Sequence, residues 1–171
     1  MSATLIYLNI DFGNGWVVGE STAAGFLGQI EIESFSWDMK VEHRRDKDAN
    51  STESQGTVEP GDVTLEKFFD RSSTVLVQNM QTQTAFTVAH LVFVDMVLGE
   101  SEHTKVMKIV LEDGHVEDVR LSGSGSGKAM AVKESVTLSF RKIAMEYFPP
   151  GATKDARAST SVSWTYDFAP A

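Results

Sequence analysis

Cysteine is absent from this chain of 171 residues, so neither a disulfide framework nor a thiolate zinc centre is available to it. That absence is compatible with a reducing cytosol. An excess of basic residues is also lacking: 15 Lys and Arg stand against 24 Asp and Glu, for a formal net charge of −9. Nonspecific nucleic-acid binding needs a basic face to displace counterions, so no nucleic-acid partner is expected. No stretch reaches the ~18 consecutive apolar residues of a membrane helix, and no direct membrane insertion is expected. The opening MSATLIYLNIDFG has no basic start and no continuous apolar core. It does not read as a signal peptide, so any export is expected to bypass the general secretory route.

What is present is strand after strand. Thr4 to Ile10 alternates and ends in the turn-rich DFGNG at 11–15. Further strands are expected at 28–39, 63–69, 86–97, 105–111, 116–121, 132–148 and 161–168, the last alternating Val162, Trp164, Tyr166 and Phe168 with polar residues. One helix is expected after Ser72 or Ser73 as N-cap, with Leu76 and Met80 four apart on its apolar side. The fold class is therefore mainly β, in one domain. Residues 41–62 are charged, polar and aperiodic, a connection longer than a plain turn requires.

Three strands change sides partway. In QIEIESFSWDM, Ile30 and Ile32 share one face while Phe35 and Trp37 share the other. Over 132–148, Val136, Leu138 and Phe140 oppose Ile143, Met145 and Tyr147, and Val116 against Val119 and Leu121 is a weaker third case. Either a bulge re-aims the chain, or the strand passes from one apolar environment into another at a barrel corner or subunit interface. Residues 86–97 look buried on both faces, more apolar surface than one small core needs.

Several groups invite a chemical reading and have a plainer one. SGSGSGK at 122–128 lacks the P-loop spacing, with Ser122 where Gly is needed and Ala129 after the Lys, and is expected to be a hairpin loop. His43, His90, His103 and His115 form no H-x-E or helical pair, so no metal or other cofactor is expected; His90 reads as a core or interface histidine. Glu31 and Glu33 lie about 7 Å apart on one strand face, which superficially suits glycoside chemistry but is also the ordinary solvent face of a strand. The acidic residues Glu112, Asp113, Glu117 and Asp118 flank Asp113-Gly114, read as hairpin turn chemistry. EHRRDKD at 42–48 is a solvated loop, or a contact surface whose alternating charges set register against another copy.

Gly19-Glu20-Ser21, the strand IEIESFSWDM and the box from Lys67 to Ser73, taken in order with the segments that follow them, resemble the Hcp family, the haemolysin-coregulated proteins of type VI secretion systems. Gly19-Glu20-Ser21 is similar to the family's GES, and IEIESFSWDM to its strand ending in serine-tryptophan. Lys67 to Ser73 with Leu76 resembles its K-x-x-D-x-S-S/T-P-x-L box, Thr74 standing at the proline. KIVLEDGHVEDV, ESVTLSFRKIAMEY and the closing SVSWTYDF complete the set, which spans essentially the whole chain. The resemblance implies a compact antiparallel β-barrel with one flanking helix. It also implies homohexameric rings stacked into a tube within a sheath and beneath a spike protein, with small effectors in the lumen. It implies no catalysis, and assembly in the bacterial cytoplasm followed by secretion without a signal peptide. From the family's architecture the loop at 41–61 is expected to contribute to ring stacking through Glu42, Arg44, Arg45 and Asp46. The nearest neighbour reading is the tail tube of a contractile phage. Rival readings are a β-barrel glycoside hydrolase using Glu31 and Glu33 or the acidic turn, and a carbohydrate-binding module presenting Trp37 and Trp164 as a flat platform.

Overall fold

The computed structural model describes residues 2–43, 56–97, 103–125, 131–149 and 161–168. Among these the chain runs β1 (Ser2–Asp11), β2 (Ile30–Ile32), β3 (Ser34–Ser36), β4 (Met39–His43), β5 (Gly56–Pro60), β6 (Val63–Phe68), α1 (Ser73–Gln81), β7 (Phe86–Val97), β8 (His103–Gly114), β9 (Val116–Ser124), β10 (Ala131–Leu138), β11 (Lys142–Tyr147) and β12 (Val162–Asp167). All pairings are antiparallel. A six-stranded sheet has the order β12-β11-β8-β7-β1-β2, and a four-stranded sheet the order β3-β6-β10-β9. Among the described residues β4 and β5 pair only with each other. The two large sheets enclose one core in a barrel that hydrogen bonds do not close.

Two of the three strands that change sides are strands that change sheets. β2 pairs with β1 through Ile6–Ile32 and Leu8–Ile30, and β3 pairs with β6 in the other sheet through Phe35–Leu65. Glu33 is the corner between them, its N–H donating to the Glu66 carbonyl at 2.7 Å. Passing the corner inverts the face that points inward, so Ile30 and Ile32 lie buried in the same core on which Phe35 and Trp37 pack. β10 and β11 repeat the device across Ser139-Phe140-Arg141, with Val136, Leu138 and Ile143 all buried in that core. In β9 the mechanism is a bulge instead. Thr137 faces Asp118 while Leu138 faces Val116, leaving Glu117 as the extra residue.

Asp113-Gly114 also makes a corner, which corrects the hairpin reading, because β8 and β9 lie in different sheets. Asp113 adopts φ 53°, a left-handed conformation that Asp tolerates. Gly114 is there for space: a Cβ on it would sit 1.9 Å from the Ser139 carbonyl oxygen.

β7 is buried on both faces, as its composition suggests, and its own chain covers the second one. Val92 and Val94 form a small outer cluster with Tyr7 and Phe26, whose rings stack at 4.4 Å. Phe26 belongs to a loop folded by the Gly19-Glu20-Ser21 segment. Gly19 donates to the Gly28 carbonyl at 2.7 Å and Ser21 to that of Gln29 at 3.0 Å. A Cβ on Gly19 would meet the Gln29 carbonyl oxygen at 2.4 Å, so that position admits only glycine without rearrangement.

Candidate functional site

The Lys67–Ser73 box folds into a buried polar knot. Lys67 alternates with Val63 and Leu65 on the inward face of β6, so its ammonium enters the core at 1% exposure. There Nζ lies 2.9 Å from Asp70 Oδ1, Ser73 Oγ, Glu134 Oε2 and the Phe68 carbonyl. Ser73 Oγ also donates to Glu134 at 2.5 Å and accepts from the Asp70 N–H at 3.0 Å. Ser72 occupies the N-cap position without capping, since its hydroxyl donates to Asp70 instead. A serine beside a lysine can form a nucleophilic dyad, but Ser73, Lys67 and Glu134 are all sealed from solvent. The arrangement pins the start of α1 to β6 and β10.

Glu134 is the member that sequence reading missed. Its signal was available: it shares parity with the core residues Val136 and Leu138, and an inward carboxylate must find a cation. Its partner, however, lies 67 residues away.

Glu31 and Glu33 do come together, in a cleft of about 100 Å³ also lined by Glu20, Phe68, Phe69 and Asp70. Both are exposed, and the space is well below the ~300–1,000 Å³ of a ligand pocket. The acidic turn residues diverge onto different partners. Glu112 pairs with Lys142 at 3.0 Å, Asp113 with Arg141 at 2.8 Å and Asp118 with Arg120 at 2.7 Å, while Glu117 accepts from Ser139 Oγ at 2.6 Å. A larger cleft of about 440 Å³ lies between the end of α1 and the β8–β9 corner, lined by Met80, Gln83, His115, Val116 and Glu117. Gln83 closes the helix at φ 54°, a conformation more usual for glycine.

The aromatic platform is not flat. Trp37 and Trp164 are 6.4 Å apart and inclined at 41°, and the Trp37 indole N–H is spent on the Gly61 carbonyl at 3.0 Å. They belong to a cluster with Phe140, Tyr166 and Phe168 that carries the core out to β12.

Among the described residues, three groups titrate away from their ordinary values. Burial and then the Lys108 charge lower the pKa of His90, whose ring lies 5.2 Å from Trp16. Burial, followed by the Glu31 charge, raises Tyr7 against a lowering hydrogen bond with Ser21. Burial and then Glu117 raise Asp62. No three His, Asp or Glu side chains among the described residues are placed to hold a metal ion.

Of the residues expected to contribute to stacking, Glu42 is exposed on β4 and Arg44, Arg45 and Asp46 lie outside the described residues. The ends of the segment read as a long loop are paired strands, β4 against β5 from Met39–Pro60 to His43–Gly56. The SGSGSGK segment begins inside β9, with Ser124 opposite Ala131, and its residues 126–128 lie outside the described residues.

Among the described residues, two antiparallel sheets sharing one core through corner-turning strands, with a single helix pinned by a buried ion knot, define a β-barrel protein. The chain belongs to the family described as type VI secretion system effector, Hcp, whose model matches residues 7–147. It is thus a tube-forming, secreted protein of such a system, and the match favours this over a phage tail tube. The family assembles into rings, and it is not a known enzyme family. Among solved structures, Hcp1 from Salmonella typhimurium is 23% identical, with 97% of this chain and 95% of that one aligned at a TM-score of 0.71. Hcp1 from E. coli EAEC 042 is 18% identical over 97% and 99%, with a TM-score of 0.75. A secreted protein, Hcp3 from Pseudomonas aeruginosa, is 16% identical over 98% and 100%, at 0.66. These likenesses establish the shared fold. No match is found among curated proteins. No helix among the described residues is long and apolar enough to cross a membrane.

Proposed function

We propose that the chain closes into homohexameric rings, that the rings stack into the inner tube inside the sheath and beneath the spike, and that the tube is expelled carrying small effectors in its lumen. The chain makes and breaks no bond itself, and it leaves the bacterial cytoplasm with the tube. The observation that carries the stacking is the β4–β5 hairpin. It belongs to neither large sheet, and every residue of β4 is exposed. A two-stranded hairpin is marginal alone in water, so one projecting from a barrel is suited to docking on something else. Its sequence delivers Glu42, Arg44, Arg45 and Asp46 in close succession, and alternating charges fix the register of one surface on a complementary one.

Negative-stain microscopy of the purified chain and of a variant lacking residues 44–55 tests this. The intact protein is expected to form rings and short stacks of rings, and the deletion to leave single rings. Rings that vanish with the deletion would move the loop from the stacking contact to the contact between protomers.

A further inference from the structure

The two large sheets have four edges. β2 and β3 are halves of one strand and meet at the Glu33 corner. β9 has α1 packed against it. That leaves β12, whose outer side pairs with no other strand among the described residues and where Val162 to Asp167 are all exposed.

Which of its backbone groups point outward follows from the ladder. The Phe168 N–H donates to the Arg141 carbonyl at 2.8 Å, which directs residue 168 towards β11 and makes Lys142–Asp167 a non-hydrogen-bonded pair, the Arg141 N–H itself going to Glu112 and Asp113. Such pairs alternate with hydrogen-bonded ones along antiparallel strands, so Val162, Trp164 and Tyr166 spend their N–H and C=O groups on β11. The backbone groups of Ser163 and Thr165 are directed to the open side.

Natural edges are normally blunted by proline, lysine or a bulge. β12 contains no Pro and no Lys, and its register with β11 is unbroken. Its inner face carries Val162 at 66%, Trp164 at 37% and Tyr166 at 39% exposure, with Tyr147 of β11 beside Val162 at 43%. Aromatic residues of this kind are enriched at the centres of protein interfaces. An edge free of Pro, Lys and bulges, with its one charge at the Asp167 end, lies beside an aromatic strip and would cause aggregation unless something covers it in the working state.

We propose that β12 is the strand by which one protomer joins the next: its open edge receives an extended segment of a second copy, which also covers Val162, Trp164, Tyr166 and Tyr147. A ring is closed by heterologous contacts, in which one patch meets a different patch of the neighbour. The edge left unpaired among the described residues supplies one such patch at every joint. The proposal rests on the ring reading and assigns the joint within it.

Thr165→Pro is the discriminating variant. It deletes an outward N–H and leaves the β11 ladder untouched, the placement in which edge strands tolerate proline. The expected result is an unchanged melting temperature with ring formation requiring at least a tenfold higher protein concentration by light scattering. Thr165→Lys, which blunts the edge by charge, is expected to act alike. Hydrogen exchange on the intact protein supplies a readout that needs no variant: in rings, the amides of Ser163 and Thr165 are expected to be protected. Rings in which those two amides exchange like an open strand, or rings formed equally well by both variants, would overturn the β12 assignment alone. An intact chain that stays monomeric at high concentration would overturn this and the ring reading together.

Discussion

Lys67 holds a charge at 1% exposure, and Glu134 opposite it is equally buried. A buried ion pair adds little net stability because desolvation offsets its attraction, but removing one partner strands the other. Lys67→Met is therefore expected to cost about 3–5 kcal/mol, the range for breaking a buried pair. Lys67→Met with Glu134→Leu should recover most of that loss. Urea denaturation with an unchanged m-value reads both, and a single variant within about 1 kcal/mol of the parent would show that Glu134 finds water or another donor. The knot also shows what one chain's sequence discloses at this scale. Lys67, Asp70 and Ser73 stand within seven residues and are visible as a motif. Their convergence on Glu134 needs β6 and β10 to be neighbours, a fact of topology that no local pattern contains.

At the scale of elements, strand period was the most legible feature, since apolar alternation located most strands to within a few residues. The change of side in QIEIESFSWDM was legible too, but its cause was not. A bulge and a change of sheet both invert the inward face, and they differ only in which distant strand each half pairs with: β1 for Ile30 and Ile32, β6 for Phe35. The same ambiguity resolved one way in β10–β11 and the other in β9. A corner makes an unusual demand on sequence, because both faces of one continuous segment become intolerant of charge. Ile32→Asp would bury an unpaired carboxylate and Phe35→Asp would set one half-buried against the core, Phe35 lying edge-on to Phe93 at 5.4 Å. Several kcal/mol is a large part of the ~5–15 kcal/mol that stabilises a domain. Both variants are expected to lose cooperative melting, while Glu31→Lys and Ser34→Lys, at exposed positions, keep it. An ordinary amphipathic strand would spare one of the two aspartates, and that outcome would refute the corner.

At the scale of the whole molecule, two different contacts are invoked, and their physics separates them. The β12 joint combines backbone hydrogen bonds with aromatic burial, neither of which depends strongly on salt. The hairpin contact relies on the mixed charges at 42–46. Against it stands a formal charge of −9 on every protomer, which repels ring from ring and is itself relieved by salt. The screening length decides between the two effects. It is about 10 Å at 0.1 M and about 3 Å at 1 M, so charges spread over a protomer's surface are already largely screened at 0.1 M, whereas pairs in contact are not. Raising salt from 0.1 M to 1 M is therefore expected to weaken the contact pairs more than the repulsion. Stacks should shorten towards single rings, with the rings intact. Micrographs at the two concentrations measure both lengths and ring integrity. Tubes that lengthen at 1 M would show that repulsion dominates and that the charged loop is not what holds one ring to the next.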